Sequence, residues 1–260
     1  MSVPRFLVSH DALENRSTVL TGAELHHLRV RRLRTGSALI LFDGGGHQRR
    51  GIVTALDRRQ ARVQFLDANM AQPESPLRLV LAQAALKASK LDLVIEKATE
   101  LGATELVIFT CERSIQPLTP VRAERWIRIA TSAAKQCQRS TVPRVRGPIR
   151  FEELLREEPA ALRLLFWEHA IAGTLPTLAH RHPSCASVLA VVGPEGGFTA
   201  HEAASAEAAG FETIGLAQRV LRAETAAIIA LALCQFLWGD LGGRTTPAPN
   251  DVPGIRDGRP

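Results

Sequence analysis

Val191-Val192 runs into Gly193-Pro194-Glu195-Gly196-Gly197 and then into Phe198-Thr199-Ala200-His201-Glu202, so twelve residues join an apolar run, a glycine-rich loop and a helix start. Glycine carries no Cβ and tolerates positive φ. Gly193, Gly196 and Gly197 can therefore bring backbone amides against a small molecule and hold its polar atoms. The other reading open at this point is a tight connecting turn without a ligand. Phosphate is not the indicated ligand, because neither the dinucleotide fingerprint Gly-x-Gly-x-x-Gly nor the closing Gly-Lys-Ser/Thr of a P-loop occurs.

The elements around this loop set its position. Ser187 to Val192 is short and continuously apolar, as in a strand buried on both faces of a parallel sheet. Thr199 and Glu202 have the spacing of a capping box, which predicts a helix directly after the loop. From Leu77 onward strands and helices alternate. Leu77 to Ala82 is an expected strand, Ser89 an expected cap for a helix burying Leu91, Val94, Ile95, Ala98 and Leu101, and Gly102 its stop. Expected strands follow at 105–109, 162–167 and 211–216, with an arginine-rich helix near 121–139, a short helix from Phe151 and an apolar helix over 226–238. This order implies a mostly parallel sheet with helices on both faces. Residues 1–72 instead read as short strands joined by tight turns, a small β-barrel, with a helix or strand over 24–34. The proline-bearing stretch 67–76 is the expected linker. The division is thus 1–72, 73–242 and a tail, 243–260, whose composition predicts disorder.

Charge is concentrated rather than spread. Residues 1–72 carry eleven arginines against six acidic residues, a net +5, and residues 121–150 carry eight basic residues against Glu124, a net +7. Two such clusters point to a polyanion, most simply nucleic acid, with Arg29 and Arg32 among the phosphate contacts. Cys111, Cys137, Cys185 and Cys234 are widely spaced, which indicates core thiols in a reducing compartment rather than zinc or disulfide sites. His26-His27 and His180-Arg181-His182 lack accompanying ligands, so no metal is expected. The N-terminal stretch has no signal-peptide core, and the apolar segment 226–238 is shorter than the roughly 20 residues of a membrane span. A cytoplasmic protein without a membrane partner is the expectation.

A second segment gives the glycine loop a context. LRAETA at 221–226, taken with GPEGG, HHLRVRRLRTG at 26–36, LFDG at 41–44, KLDLVIEKATELGA at 90–103, ERS at 112–114 and AAKQCQRSTVPRV at 133–145, resembles the 16S ribosomal RNA uracil-N3 methyltransferases of the RsmE type, in the SPOUT superfamily. The resemblance covers nearly the whole chain. It implies an α/β protein with a SPOUT-type, trefoil-knotted parallel-sheet domain at the C-terminal end and a small PUA-like β-barrel RNA-binding domain at the N-terminal end. It implies S-adenosylmethionine as cofactor, bound by Gly193, Pro194, Glu195, Gly196, Gly197, Leu216, Arg219, Val220 and Leu221. Ala217-Gln218 stands where the family usually has Gly-Pro. Polar roles at the reacting centre fall to Glu195, Arg222 and Glu224, with Glu224 otherwise a cap of the last helix paired to Arg222, and Arg113 and Arg139 as further RNA contacts. The partner implied is 16S ribosomal RNA or the small ribosomal subunit. A homodimer is also expected, because the helix over 226–238 is apolar around its circumference and must be covered either by its own chain or by a second copy. The competing expectations are a non-catalytic RNA-binding assembly factor and a related enzyme acting on another RNA.

Overall fold

The computed structural model describes residues 3–114, 121–157, 159–170 and 174–243. The tail expected to be disordered lies outside the described residues except for Gly243.

The N-terminal part contains β1 (Arg5–Leu7), α1 (His10–Glu14), β2 (Ser17–Leu20), α2 (Gly22–Val30), β3 (Ala38–Phe42), β4 (His47–Leu56), β5 (Ala61–Phe65) and β6 (Met70–Ala71). In β5, Ala61, Val63 and Phe65 are buried while Arg62 and Gln64 are exposed, the period-2 pattern of a strand with one wet face. The sheet runs β1-β3-β4-β5-β2, with β6 on β4 and only β1–β3 parallel. Phe6, Leu13, Leu20, Leu28, Leu41 and Val63 meet in one core, so both edge strands and both helices close over the same apolar interior. The ambiguous stretch at 24–34 is helical through Val30, because Leu25 and Leu28 reach that core from one helix face.

The second sheet is wholly parallel. Its elements are β7 (Arg78–Ala84), α3 (Ala88–Glu100), β8 (Glu105–Thr110), α4 (Val121–Cys137), β9 (Arg144–Arg150), α5 (Phe151–Glu157), β10 (Leu162–Phe166), α6 (Leu175–Arg181), β11 (Ser187–Val192), α7 (Ala200–Ala208), β12 (Glu212–Ile214) and α8 (Ala223–Trp238). Strand order is β12-β10-β11-β7-β8-β9. Alternate residues of each strand feed two separate cores. Leu79, Leu81, Leu106, Leu164 and Val188 pack with α3, α4, α6 and α8, whereas Val80, Val107, Leu165, Leu189 and Val191 pack with α5, α7 and Phe198. Burial on both faces explains the unbroken apolar runs.

One expected cap is displaced. The chain leaves extended geometry at Lys87, two residues earlier than anticipated, so Ser89 lies inside α3 and no side chain caps its start. Gly102 does follow the helix end, at φ +78°. No described helix is long and apolar enough to cross a membrane. All four cysteines are free, and burial pushes the Cys234 thiol up to about 12.

The two sheets meet along the segment after α4. Buried Arg5 donates to Ser140 Oγ at 2.7 Å and to the Arg139 carbonyl at 3.2 Å, and burial lowers its guanidinium to about 10. Ser140 Oγ in turn donates to Gln48 Oε1 at 2.8 Å, and Lys135 reaches Glu24 at 2.6 Å. Arg139 is the hub, with its side chain 11% exposed. It pairs with Glu74 of the connecting stretch at 2.6 Å and donates to the carbonyls of Thr99 and Ala103 at 2.6 and 3.2 Å. Removing it would take the side-chain donor from the Thr99 and Ala103 carbonyls and the cation from Glu74, so Arg139→Ala should destabilise the chain by about 2 to 4 kcal/mol. Urea unfolding measures this, and an unchanged midpoint would remove Arg139 from the hub.

Candidate functional site

The carboxyl ends of β10, β11 and β12 open on a cavity of about 300 Å³. In an open parallel sheet this edge is where strand order reverses and where loops, free of ladder hydrogen bonds, can face a ligand. Three loops line it: Trp167 and Glu168 after β10, Gly193 to Glu195 with Gly197 after β11, and Leu216 to Arg222 after β12. Lys90 on α3 and Ala223 and Ala226 on α8 complete the wall.

Backbone geometry of the glycine loop is held from below and behind. The side-chain amide of Gln83, fully buried at the end of β7, donates to the carbonyls of Gly193 at 3.1 Å and Val192 at 3.4 Å. Behind the loop, Thr199 and Glu202 form the expected reciprocal capping box of α7. The second Glu202 oxygen accepts from the Glu112 amide at 2.9 Å, which ties the ERS segment to this helix start. Arg113 then donates to the Gly196 carbonyl at 3.0 Å.

The three glycines are not equivalent. Only Gly197 has positive φ, +67°, and a Cβ there would collide with the Glu168 carboxylate across the cavity wall. A Cβ on Gly193 would press on the Phe198 ring at 3.0 Å. Gly196 faces Arg113 instead of the cavity, a correction to its expected place: its Cβ direction meets the Arg113 side chain at 3.1 Å, and it is not part of the lining. The remaining positions expected to hold the cofactor, Gly193, Pro194, Glu195, Leu216, Arg219, Val220 and Leu221, lie on the cavity, as do Ala217 and Gln218.

Lys90 sits between two carboxylates, 3.4 Å from Glu195 and 3.3 Å from Glu224. Burial acts to raise the Glu224 carboxyl, but its own first-turn amide and Lys90 hold it below the ordinary carboxylate range. Its ion-pair partner is thus Lys90 rather than Arg222, which lines the cavity and is exposed. Nor is Glu224 the cap of α8: the cap position is Arg222, whose side chain makes no capping hydrogen bond. Trp167 lines the cavity, and its buried Nε1 has no acceptor among the described residues. A bound molecule with an acceptor at that wall would satisfy it.

Sequence reasoning did not single out Lys90, Gln83, Trp167 or Glu168. Lys90 lies at the head of the KLDLVIEKATELGA segment, and Trp167-Glu168 end a strand parallel to the one that feeds the glycine loop, so strand-end alignment was the available signal.

The basic clusters are also redistributed by folding. In the second, Arg125, Lys135, Arg139, Arg146 and Arg150 pair with Asp92, Glu24, Glu74, Glu105 and Glu152. Arg139 therefore serves the domain seam and is not presented to a phosphate. In the first, Arg29 donates to the Asp57 carbonyl, while Arg31, Arg32, Arg34, Arg58, Arg59 and Arg62 are exposed. The exposed basic charge is thus weighted toward the end of α2 and the β4–β5 turn.

Residues 73–235 match an RNA methyltransferase domain and residues 20–66 an RNA methyltransferase PUA domain. The chain is 35% identical to ribosomal RNA small subunit methyltransferase E of Synechocystis over 88% of its length and 76% of that protein. It is 30% identical to the Bacillus subtilis protein of the same name, covering 84% and 89%. The crystal structure of ribosomal RNA small subunit methyltransferase E from Neisseria gonorrhoeae bound to S-adenosyl methionine superposes with a TM-score of 0.85 at 34% identity, over 92% of this chain and 99% of that one. With the same two domains matched in the same order and a relative this similar over most of both chains, the protein belongs to the RNA methyltransferase family of the ribosomal RNA small subunit methyltransferase E type.

Proposed function

We propose that the chain transfers a methyl group from S-adenosylmethionine to N3 of a uridine in 16S ribosomal RNA, in the cytoplasm, as a homodimer. One observation carries the reading: the GPEGG loop and the LRAETA segment, distant in sequence, form one cavity at the carboxyl edge of the sheet. The cavity fits the cofactor's chemistry through an unpartnered indole N–H at Trp167, a wall at Gly197 that a side chain would fill, and carboxylates at Glu168 and Glu195 for a cationic ligand, with Glu224 joined to that wall through Lys90. When bound, S-adenosylmethionine supplies a methyl group already activated by its sulfonium.

The protein's task is then to orient, to exclude water and to accept a proton. Gly193 to Glu195, Gly197 and Leu216 to Leu221 hold the methyl donor, while Arg222 and Glu195, with Glu224 joined to the wall through Lys90, face the base. Uridine N3 loses its proton as the new N–CH₃ bond forms, so a carboxylate at the mouth of the cavity is the acceptor, directly or through water. N3 lies on the pairing edge, so the base must be unpaired or flipped to react. Arg29 and Arg32 hold RNA phosphates beside the first sheet, and Arg113 does so beside the glycine loop. The trefoil knot implied by the resemblance is part of this proposal, and the convergence of three loops on one cavity supports it.

The dimer rests on α8. One face packs on β7, β11 and α3, but the opposite stripe of Thr225, Ile229, Ala232 and Phe236 is not buried, and Phe236 is 63% exposed. Val220, on the cavity wall, is 80% exposed. A second copy covering both would place each cavity beside the subunit boundary.

Three measurements test these parts separately. Gly197→Val should weaken S-adenosylmethionine binding by calorimetry about tenfold to a hundredfold while thermal melting stays cooperative, through overpacking and strain; undiminished affinity would take the loop out of the site. No binding by the wild type would favour a non-catalytic RNA-binding factor, and nucleoside mass spectrometry of the methylated RNA identifies the product. Arg29→Ala with Arg32→Ala should leave that affinity alone and reduce the slope of log K against log salt for RNA by about 1.5; an unaltered slope would turn the first domain's basic surface toward another partner. Light scattering should give twice the 28.3 kDa chain mass, falling toward one chain mass in Phe236→Asp, whereas a monomeric wild type with full methyl transfer would discard the dimer.

A further inference from the structure

The histidines that folding brings to a common carboxylate are not the adjacent pairs visible in the sequence. Of the described residues, one group of three converges: His10 at the start of α1, Asp43 just after β3 and His47 at the start of β4, their ligand atoms all within 4.8 Å of one another. His10 Nδ1 lies 2.7 Å and His47 Nδ1 3.3 Å from the same oxygen, Asp43 Oδ2. Two donors on a tetrahedral zinc ion, each about 2.0 to 2.1 Å from it, are themselves about 3.3 Å apart; the His47–Asp43 pair already has that separation, the His10–Asp43 pair is closer, and no pair exceeds 4.8 Å.

We propose that His10, Asp43 and His47 form a binding site for one divalent transition-metal ion of the zinc class, with water in the fourth position. The two-nitrogen, one-oxygen donor set suits zinc, cobalt or nickel and disfavours magnesium and calcium. Asp43 is pre-oriented for the role. Its other oxygen, Oδ1, accepts from the amides of Gly45 at 2.7 Å and His47 at 3.0 Å, which leaves Oδ2 aimed at the imidazoles. His47 Nδ1 is buried and makes no hydrogen bond among the described residues, and the polar atom that it faces is Asp43 Oδ2, so an ion between the two would give it a partner. The His10 side chain is 55% exposed and provides the way in.

None of the three residues lines the cavity, so the ion has no part in methyl transfer. It would instead clamp α1, β3 and β4 beside the domain seam, where Gly44 accepts from the Val142 amide at 2.9 Å and Gly46 donates to the Ser140 carbonyl at 3.1 Å.

Titrating cobalt(II), then zinc(II), into the untagged full-length chain after chelator treatment tests the site by visible absorption and calorimetry. One equivalent should bind with micromolar affinity and raise the melting temperature. His10→Ala and His47→Ala, checked for folding by circular dichroism, should each weaken binding about tenfold or more. A double His26→Ala, His27→Ala variant should bind as the wild type does. Wild-type binding no tighter than millimolar, undiminished binding after loss of both His10 and His47, or loss of binding in the His26, His27 variant would each overturn the proposal.

Discussion

Burial of the parallel sheet on both faces is the constraint from which the rest of this structure follows. Each of β7, β8, β10 and β11 is paired with a strand on both sides, and the side chains in their centres enter one of two apolar cores. Polar chemistry has no place within such a sheet. It is displaced to the carboxyl edge, where the ladders end and loops can turn amides, carbonyls and charged side chains toward a ligand. The glycine loop is useful there because it is both unpaired and held, with Gln83 grasping its carbonyls from inside the sheet and Glu202 anchoring the helix that follows.

The same economy governs charge. A basic chain invites the assumption that its arginines face a polyanion, but much of the second cluster is used to hold the protein together. Arg139 and Lys135 join the two sheets through Glu74 and Glu24, and Arg146 secures an edge strand through Glu105. These pairs are partly buried, so the charges are balanced locally and contribute little field at the surface. Arg32, Arg34, Arg58 and Arg59 of the first domain, exposed and in no ion pair among the described residues, dominate the field at that surface.

The cavity wall shows how two carboxylates can be kept close without repelling one another out of place. Lys90 lies between Glu195 and Glu224, one from the loop after β11 and one from the first turn of α8. Each carboxylate is thereby oriented by a group from a third element, α3, and the site depends on the packing of α3 against α8 as much as on the loops themselves.

By itself the sequence determined the division into a β-rich part and an alternating α/β part, the strand–loop–helix around GPEGG, the capping box of Thr199 and Glu202, and the family. Each of these rests on local signals: residue period, cap spacing, glycine placement, or a motif whose parts are near one another in the chain. What it could not decide is anything set by which residues become neighbours only after folding. Thr199 and Glu202 are three residues apart and were legible; Lys90 and Glu224 come from α3 and α8, and their pairing exists only because those helices pack together. Gly196 and Gly197 are indistinguishable as letters, yet one backs onto Arg113 and the other onto Glu168. The arginines of the second cluster are alike in sequence, and only tertiary structure decides which of them finds a carboxylate. The histidines are the plainest case: adjacent pairs drew attention, whereas His10 and His47 meet at Asp43 because β3, β4 and α1 share one core. Local periodicity encodes the elements, but long-range packing determines which side chains converge.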